Sequence, residues 1–189
     1  MSQTTISTIS TFTADDLLRH LPELGALLRA CVHDGASVGF VMPCDVEESE
    51  GFWRGKVLPS MRAGGLVLLV ARQGETIAGT VQLDYDTMPN QRHRAEVRKL
   101  LVHPGFRRQG IARALMTELE RHASALQRNL LTLDTRTGDH AEPLYTELGY
   151  RTAGVIPGYA RGTHTHEFVR PPSCSRRYER LPLKPAVNT

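Results

Sequence analysis

Residues 95–113 have the sequence AEVRKLLVHPGFRRQGIAR, and the interpretation of the whole chain starts from them. Apolar residues dominate positions 95–102, as in a buried strand, and Pro104 and Gly105 mark a turn after it. A basic loop follows, and from Ile111 onward apolar residues recur at helical spacing. The segment therefore predicts a strand, a short loop and a long amphipathic helix, in that order.

The junction of loop and helix predicts an anion site. The first turn of a helix carries backbone N–H groups without internal partners, and the helix dipole adds partial positive charge there. Gly110 leaves the backbone uncovered, and Arg107, Arg108 and Arg113 add full positive charges. A pyrophosphate group fits such a site.

Two common phosphate loops are absent: the Gly-x-Gly-x-x-Gly fingerprint and the Gly-x-x-x-x-Gly-Lys-Ser/Thr P-loop. Arg107-x-x-Gly110-x-Ala112 instead resembles the Gln/Arg-x-x-Gly-x-Gly/Ala acyl-CoA pyrophosphate loop of the GNAT acetyltransferase family. The preceding Leu101-Val102-x-Pro104 lies where that family has it. The resemblance implies acetyl-CoA as co-substrate. The positions that it assigns to acetyl-CoA binding are Leu100, Leu101, Val102, Arg107, Arg108, Gln109, Gly110, Ile111, Ala112 and Arg113.

Composition predicts one globular domain over residues 1–189, with an irregular tail from about residue 182. No apolar run approaches the roughly 18 residues of a membrane span, and the N-terminus lacks the features of a signal peptide, so the predicted location is the cytoplasm. The three cysteines are widely scattered, which predicts reduced thiols and no disulfide framework. The sequence leaves a homodimer open.

Positive charge is concentrated in one region, although the net charge is only +3. Nucleic-acid binding is the rival interpretation, but no aromatic stacking array accompanies these charges, so a polyphosphate cofactor is favoured. No metal site is predicted, since His164-Thr-His166 lacks a third ligand. The basic residues concerned are Arg92, Arg94, Arg98, Lys99, Arg107, Arg108 and Arg113.

The remaining pattern predicts a mixture of strands and helices. Helix starts are predicted at Thr13, with Asp16, and at Asp45. Pro22 predicts a kink or break, Pro59 a helix end and Asn129 a helix C-cap. Predicted strands cover 6–12, 66–71, 77–85, 95–102, 130–135, 153–156 and 174–181, and helices cover about 13–33, 45–59, 111–126 and 141–148. The resemblance implies the α/β GNAT fold: a mixed sheet of about seven strands, splayed between the fourth and fifth, flanked by about four helices.

Acetyl transfer to an amine needs a proton acceptor, because alkyl amines with pKa near 10.4 are mostly protonated at pH 7. Glu96 is the first candidate, since it lies where several GNAT enzymes carry a glutamate that accepts the amine proton through water. The alternative is a solvated glutamate paired with Arg94, Arg98 or Lys99. A β-bulge aims Glu96 inward if simple alternation does not.

Tyr145 and Asp134 complete the predicted catalytic group. The segment Leu144-Tyr145-x-x-x-Gly149-Tyr150 resembles the GNAT pattern Leu-Tyr-x-x-x-Gly-Phe/Tyr, whose tyrosine protonates the departing thiolate. The alternative for Tyr145 is a buried structural tyrosine. Asp134 ends a strand at the splay and is a candidate for holding the substrate ammonium, with capping of a turn as its alternative.

A glycine loop at 35–40 is not part of the generic acyl-CoA machinery and is assigned to the acceptor side, with Ser37, Phe40, Trp53 and Asp134 as substrate-binding candidates. The chain is similar here to toxin-inactivating members of the family. An insertion at 163–172 departs from their pattern.

The predicted function is acetyl-CoA-dependent N-acetyl transfer to a small amine, amino-acid-like or an antibiotic or toxin, by direct attack in a ternary complex. A protein N-terminus or lysine as acceptor, and a non-catalytic acyl-CoA sensor, are the alternatives. Both Glu96 and Tyr145 are present, which favours catalysis over sensing.

Overall fold

The computed structural model of the chain describes residues 8–160, 162–163 and 175–180. Within these ranges the chain forms seven strands and six α-helices. The strands are β1 Thr8–Phe12, β2 Leu66–Gln73, β3 Thr76–Asp84, β4 Arg94–Val102, β5 Leu130–Arg136, β6 Arg151–Ile156 and β7 Ser175–Arg180. The helices are α1 Ala14–Arg19, α2 Leu21–His33, α3 Val46–Phe52, α4 Leu58–Arg62, α5 Ile111–Ala125 and α6 Glu142–Glu147.

The strands form one sheet in the order β1-β2-β3-β4-β5-β7-β6. All neighbours are antiparallel except β4 and β5, which are parallel and pair only through 94–96 with 130–132. Beyond Glu96 the two strands separate, so the splay predicted between the fourth and fifth strands is confirmed. The predicted final strand is confirmed as β7, which lies between β5 and β6.

Most predicted helix boundaries are confirmed by their caps. Thr13 and Asp16 form a reciprocal capping box at α1, and the side chain of Asp45 accepts the N–H of Glu48 at α3. Pro22 lies in the first turn of α2, so the predicted kink is a break between two helices.

Two helix ends differ from the prediction. Pro59 does not end its helix, because a π-helical turn over Trp53–Val57 leads directly into α4, whose first turn tolerates a proline. Asn129 is not the C-cap of α5. Gln127 adopts a left-handed conformation with φ 56° and ends the helix earlier, with Leu126 as the C-cap.

Two apolar cores lie on opposite faces of the sheet. The α5 face includes Leu115 and Leu119, which pack with Val97 and Leu131. The other face is covered by helices α1 to α4 and includes Leu24, Trp53 and Leu68. Because strand residues alternate, Ala95 and Val97 face α5, whereas Glu96 and Arg98 point to the face of α1 to α4.

Gly79 lies where β3 passes closest to β4 and α5. A Cβ atom there would stand 2.7 Å from the carbonyl oxygen of Leu101 and 3.2 Å from side-chain atoms of Ile111 and Leu115. Gly79→Ala is therefore expected to lower the free energy of unfolding by about 1–3 kcal/mol, measured by urea denaturation. Gly51→Ala in α3, where a Cβ meets no atom within 4 Å, is the control and should not destabilise the protein. Equal effects would contradict this account of Gly79.

Candidate active site

The loop between β4 and α5 presents an uncapped helix N-terminus. Gly110 is the N-cap residue, in a left-handed conformation with φ 81°, and no side chain caps the helix. The first intrahelical bond runs from the N–H of Ala114 to the carbonyl of Gly110 at 3.0 Å. The N–H groups at 111–113 therefore have no partner within the helix, which is the geometry that binds phosphate oxygens.

Two of the three predicted arginines are held by carboxylates of neighbouring elements. Arg107 forms an ion pair with Asp34, just beyond α2, and Arg113 pairs with Glu147 on α6. Arg108 is exposed. These pairs connect the loop and the first turn of α5 to the end of α2 and to α6.

The other predicted cofactor positions differ in exposure and in their contacts. Gln109 accepts a hydrogen bond from Gln73 Nε2 at 2.8 Å. The side chains of Leu101 and Ile111 are buried in the core, so these residues offer only backbone atoms. Leu100, Val102 and Ala112 are partly buried.

A β-bulge interrupts β4 just beyond the point where its pairing with β5 stops. Thr80 pairs with Leu101 and Gln82 with Arg98, so Lys99 and Leu100 together oppose one residue of β3. Lys99 has φ 49°, an unusual backbone conformation for a residue other than glycine. The predicted bulge is thus present, but it lies three residues after Glu96. Glu96 points toward the face of α1 to α4 by simple alternation.

A row of polar side chains crosses β3, β4 and β5 on that face. We call it the polar stripe; its members are Gln82, Asp84, Glu96, Arg98, Thr132 and Asp134. Arg98 is at its centre, since its Nε and Nη2 donate to Glu96 Oε2 at 3.0 and 2.6 Å and its Nη1 lies 2.6 Å from Asp84 Oδ2. The pairing of Glu96 with Arg98, predicted as the alternative for this glutamate, is therefore present, and Asp84 shares it. Burial raises the pKa of Asp84, although Arg98 opposes this shift.

Two cavities open beside the polar stripe. The first has a volume of about 380 Å³ and includes Asp84, Glu96, Arg98 and Thr132 in its wall. Glu96 pairs with Thr132 at the last β4–β5 contact, so this cavity lies at the start of the splay. The second has a volume of about 230 Å³, and Asp84 and Arg98 line both.

The structure brings two of the three predicted catalytic residues to one face. Asp134 lies two residues beyond Thr132 on β5, on the face of Glu96, and accepts a hydrogen bond from the Tyr159 hydroxyl at 2.9 Å. Tyr145 lies on α6, is only 6% exposed and packs into the core on the α5 face. Tyr145 and Glu96 therefore lie on opposite faces of the sheet.

The glycine loop at 35–40 is fastened to β4 by Lys99. Its Nζ donates to the carbonyl of Val38 at 2.5 Å and lies 5.6 Å from the ring centre of Phe40 and 5.1 Å from that of Phe52. The sequence placed Lys99 among the basic residues assigned to a polyphosphate cofactor. Its contact with the glycine loop was not predicted, because no glycine marks the bulge in the sequence. Gln82, Asp84 and Tyr159 were not assigned roles.

The same loop also contacts the chain beyond β6. Thr163 Oγ1 donates to the carbonyl of Ala36 at 3.0 Å, and the N–H of Met42 donates to the carbonyl of Thr163 at 2.9 Å. The glycine loop, assigned to the acceptor side from sequence, therefore contacts the first residue of the insertion at 163–172. Most of the insertion at 163–172 lies outside the described residues, as do His164 and His166.

Trp53 and Ser37, both predicted to bind the substrate, line neither cavity. Trp53 is fully buried at 0% exposure, and its Nε1 donates to the carbonyl of Leu24 at 3.0 Å, so it is a core residue and not part of either cavity wall. Ser37 is half-buried in the glycine loop and lines neither cavity. Phe40 packs edge-on against Phe52, which lines the second cavity.

Burial lowers the pKa of Lys99 to about 8, and the charge of Arg98 adds to the shift. Between about pH 8 and 10.5 the unfolded chain binds this proton more often than the folded chain does. Stability therefore rises with pH across that window, by up to about 1.4 kcal/mol per pH unit from this group. Lys99→Met removes the titration, so wild type is expected to gain stability relative to this variant from pH 7 to 10. Parallel pH profiles in urea denaturation would contradict the shift.

The described residues hold no group of three or more His, Cys, Asp or Glu side chains that could ligate a metal. Cys31 and Cys44 are free and buried. In the described part of the chain, no helix is both long and apolar enough to cross a membrane.

The parallel strands β4 and β5 splay, β4 carries a bulge beyond their last pair, and an uncapped helix N-terminus follows β4, which is the arrangement of the GNAT fold. The chain belongs to the acetyltransferase (GNAT) family, because the model of that family matches residues 39–150. The protein is thus a GNAT-family N-acetyltransferase.

Several known proteins are similar to the chain. The Azospirillum brasilense protein described as an uncharacterized N-acetyltransferase in the hisH-hisA intergenic region is 30% identical over 76% of this chain and 82% of its own length. The ribosomal-protein-alanine N-acetyltransferase from Brucella melitensis has a TM-score of 0.73 at 20% identity, covering 92% of this chain and 99% of that one. The Salmonella typhimurium protein yncA, solved with its cofactor acetyl-CoA, has a TM-score of 0.71 at 14% identity, with 93% of each chain covered.

Proposed function

We propose that the protein transfers the acetyl group of acetyl-CoA to the amine of a small molecule in a ternary complex. The observation that carries the proposal is the position of Glu96, in a cavity wall at the last residue pair before β4 and β5 separate. A carboxylate there stands beside the gap that a thioester would enter. Glu96 accepts a proton from the amine through water, which leaves the nitrogen lone pair free to attack the carbonyl carbon.

The remaining steps use groups of β4 and α6. The C–N bond forms as the amine attacks, and negative charge develops on the carbonyl oxygen. Backbone N–H groups of β4 beyond Glu96 stabilise that charge, since pairing with β5 has ended there. The C–S bond then breaks, and Tyr145 supplies the proton to the departing thiolate. The nitrogen loses its second proton as it becomes an amide, and that proton returns to the Tyr145 phenolate through water.

The chain offers a consistent set of groups for the phosphates of acetyl-CoA. The uncapped N–H groups at 111–113 would hold the pyrophosphate, and Gly110 admits it to the backbone because its Cβ position meets no protein atom within 4 Å. Arg107, Arg108 and Arg113 supply positive charge. Arg107 and Arg113 are paired with carboxylates, so a phosphate oxygen would replace each carboxylate or share the arginine with it. Bound acetyl-CoA supplies the activated acetyl group.

An amino-acid-like acceptor, such as an antibiotic or toxin, is the proposed substrate class. The chain is similar to tabtoxin resistance protein in the glycine loop at 35–40, in Leu133-Asp134-Thr135 and in Pro157-Gly158-Tyr159. The hydrogen bond from Tyr159 to Asp134 joins two of these segments, and Lys99 fastens the third to β4. The proposed setting is the cytoplasm.

The test is thiol release from acetyl-CoA over a panel of amines that includes amino acids, a tabtoxin-type β-lactam and a peptide with a free α-amine. Turnover on small amines supports the proposal. Turnover on the peptide alone would assign a protein N-terminus as acceptor, and acetyl-CoA binding without turnover on any amine would assign a sensor. Full activity of Tyr145→Phe would contradict the acid role of Tyr145.

A further inference from the structure

The second cavity contains a buried donor without a partner. Gln82 is only 2% exposed and lines this cavity, and its Nε2 has no hydrogen-bond partner anywhere in the described part of the chain. Buried amide groups are nearly always paired, because an unpaired one has lost its hydration without compensation. The unpaired amide at this position therefore points to an oxygen atom that enters from outside.

The two cavities differ in charge. The first is lined by three carboxylates, Asp84, Asp86 and Glu96, and by two guanidinium groups, Arg94 and Arg98. The second is lined by three cations, Lys56, Arg98 and Lys99, and by one carboxylate, Asp84. The first cavity is thus net negative and the second net positive, and Asp84 and Arg98 form the wall between them.

We propose that the second cavity binds a carboxylate of the acceptor while the acceptor amine lies beside Glu96 in the first cavity. Gln82 Nε2 donates a hydrogen bond to a carboxylate oxygen, and Lys56 supplies positive charge at the cavity wall. The acceptor is then a zwitterion whose two charged ends match the two cavities. This inference rests on the proposed transfer to an amine. Gln82 is a binding residue in it and takes no part in proton transfer.

The proposal is tested with matched pairs of amines that differ only in a carboxylate: lysine and cadaverine, tyrosine and tyramine, phenylalanine and phenethylamine. Binding of each is measured by calorimetry in the presence of coenzyme A, and acetyl transfer to each is measured by thiol release. For at least one pair, wild type is expected to bind the amino acid at least tenfold more tightly than the matching amine. Gln82→Leu and Lys56→Met are each expected to weaken binding of that amino acid about tenfold and to leave binding of the amine unchanged.

Thermal stability separates this role from a structural one. Gln82→Leu is expected to leave the melting temperature unchanged or raised, since it removes an unpaired buried amide. Thr80→Val is the control. Thr80 lies on the same face of β3 but lines neither cavity, and its hydroxyl donates to the carbonyl of Lys99 at 3.3 Å. Loss of this hydrogen bond should lower the melting temperature. A lowered melting temperature for Gln82→Leu with unchanged carboxylate preference would overturn the proposal.

The calorimetric arm keeps the inference separate from the proposed activity. If wild type shows no preference for the amino acid in any pair, the carboxylate site is wrong even when amines are acetylated. If the preference exists and Gln82→Leu removes it, the site stands even when no amine in the panel is turned over.

Discussion

Replacing Glu96 by glutamine is expected to lower kcat for acetyl transfer by about 10²–10⁴-fold, with the affinity for acetyl-CoA unchanged. The amide oxygen can still accept the hydrogen bonds that Arg98 donates to Glu96 Oε2, so the position of the side chain is preserved. What is lost is the ability to accept a proton. The residual rate should rise with pH, because the fraction of neutral acceptor amine grows as the pH approaches the pKa of the amine, which is near 10 for an alkyl amine. Steady-state kinetics from pH 6 to 10 and equilibrium binding of acetyl-CoA measure both effects.

Two further variants make this result specific. Glu75→Gln removes the same charge at the exposed turn between β2 and β3 and should leave kcat unchanged. Asp84→Asn tests the competing carboxylate, because Asp84 shares Arg98 with Glu96 and its pKa is raised by burial, which makes it a better proton acceptor. A large loss of kcat in Asp84→Asn together with nearly full activity in Glu96→Gln would transfer the role of base to Asp84.

The strand, loop and helix at 95–113 were predictable because their signals are local. Pro104, Gly105 and Gly110 mark the turns, and the apolar spacing after Ile111 is helical. The splay followed from the resemblance to the family and is confirmed by pairing that stops at Glu96. The strand, loop and helix needed no knowledge of which strands are neighbours, whereas the splay did and came only from the resemblance.

The polar stripe could not be predicted, because it depends on register between strands that are distant in the sequence. Gln82 and Asp84 belong to a strand whose other residues are mostly apolar, and only pairing with β4 places them beside Glu96 and Arg98. The contact of Lys99 with the glycine loop could not be predicted for a different reason: its left-handed conformation is unusual for lysine, so nothing in the sequence marks the bulge. Local patterns do not encode either arrangement.

For Trp53 the sequence allowed either the core or the wall of the acceptor pocket, and the structure places it in the core. The π-helical turn that begins at Trp53 alters the helical phase after α3, and the indole lies in the core with its N–H on the carbonyl of Leu24. Phe52, one residue earlier, lines the second cavity instead. A regular helical projection from Asp45 cannot foresee a π turn, because its residue spacing departs from that of an α-helix.

Gly110→Ala is expected to raise the Kd for acetyl-CoA by about 10²-fold, equal to about 2.8 kcal/mol of binding free energy. The added methyl group meets no protein atom within 4 Å, so the folded protein has room for it. It would project from the N-cap of α5 into the space where the pyrophosphate must approach the N–H groups at 111–113, and charge-assisted hydrogen bonds weaken steeply when they lengthen. The left-handed conformation at φ 81° adds a separate cost of about 1 kcal/mol to folding.

Gly64→Ala separates these two costs. Gly64 has a similar φ of 72°, its Cβ position is equally open, and it lies in the turn between α4 and β2. Both variants should therefore lose similar stability in urea denaturation, but only Gly110→Ala should lose acetyl-CoA affinity in calorimetry. The loss of acetyl-CoA affinity should be largest at low ionic strength. Salt screens the attraction between the pyrophosphate and the arginines, so at high salt this interaction contributes less to binding in either protein. Equal affinity in the two variants would mean that the pyrophosphate does not bind at the N-terminus of α5, and the donor site would have to be sought elsewhere along the splay.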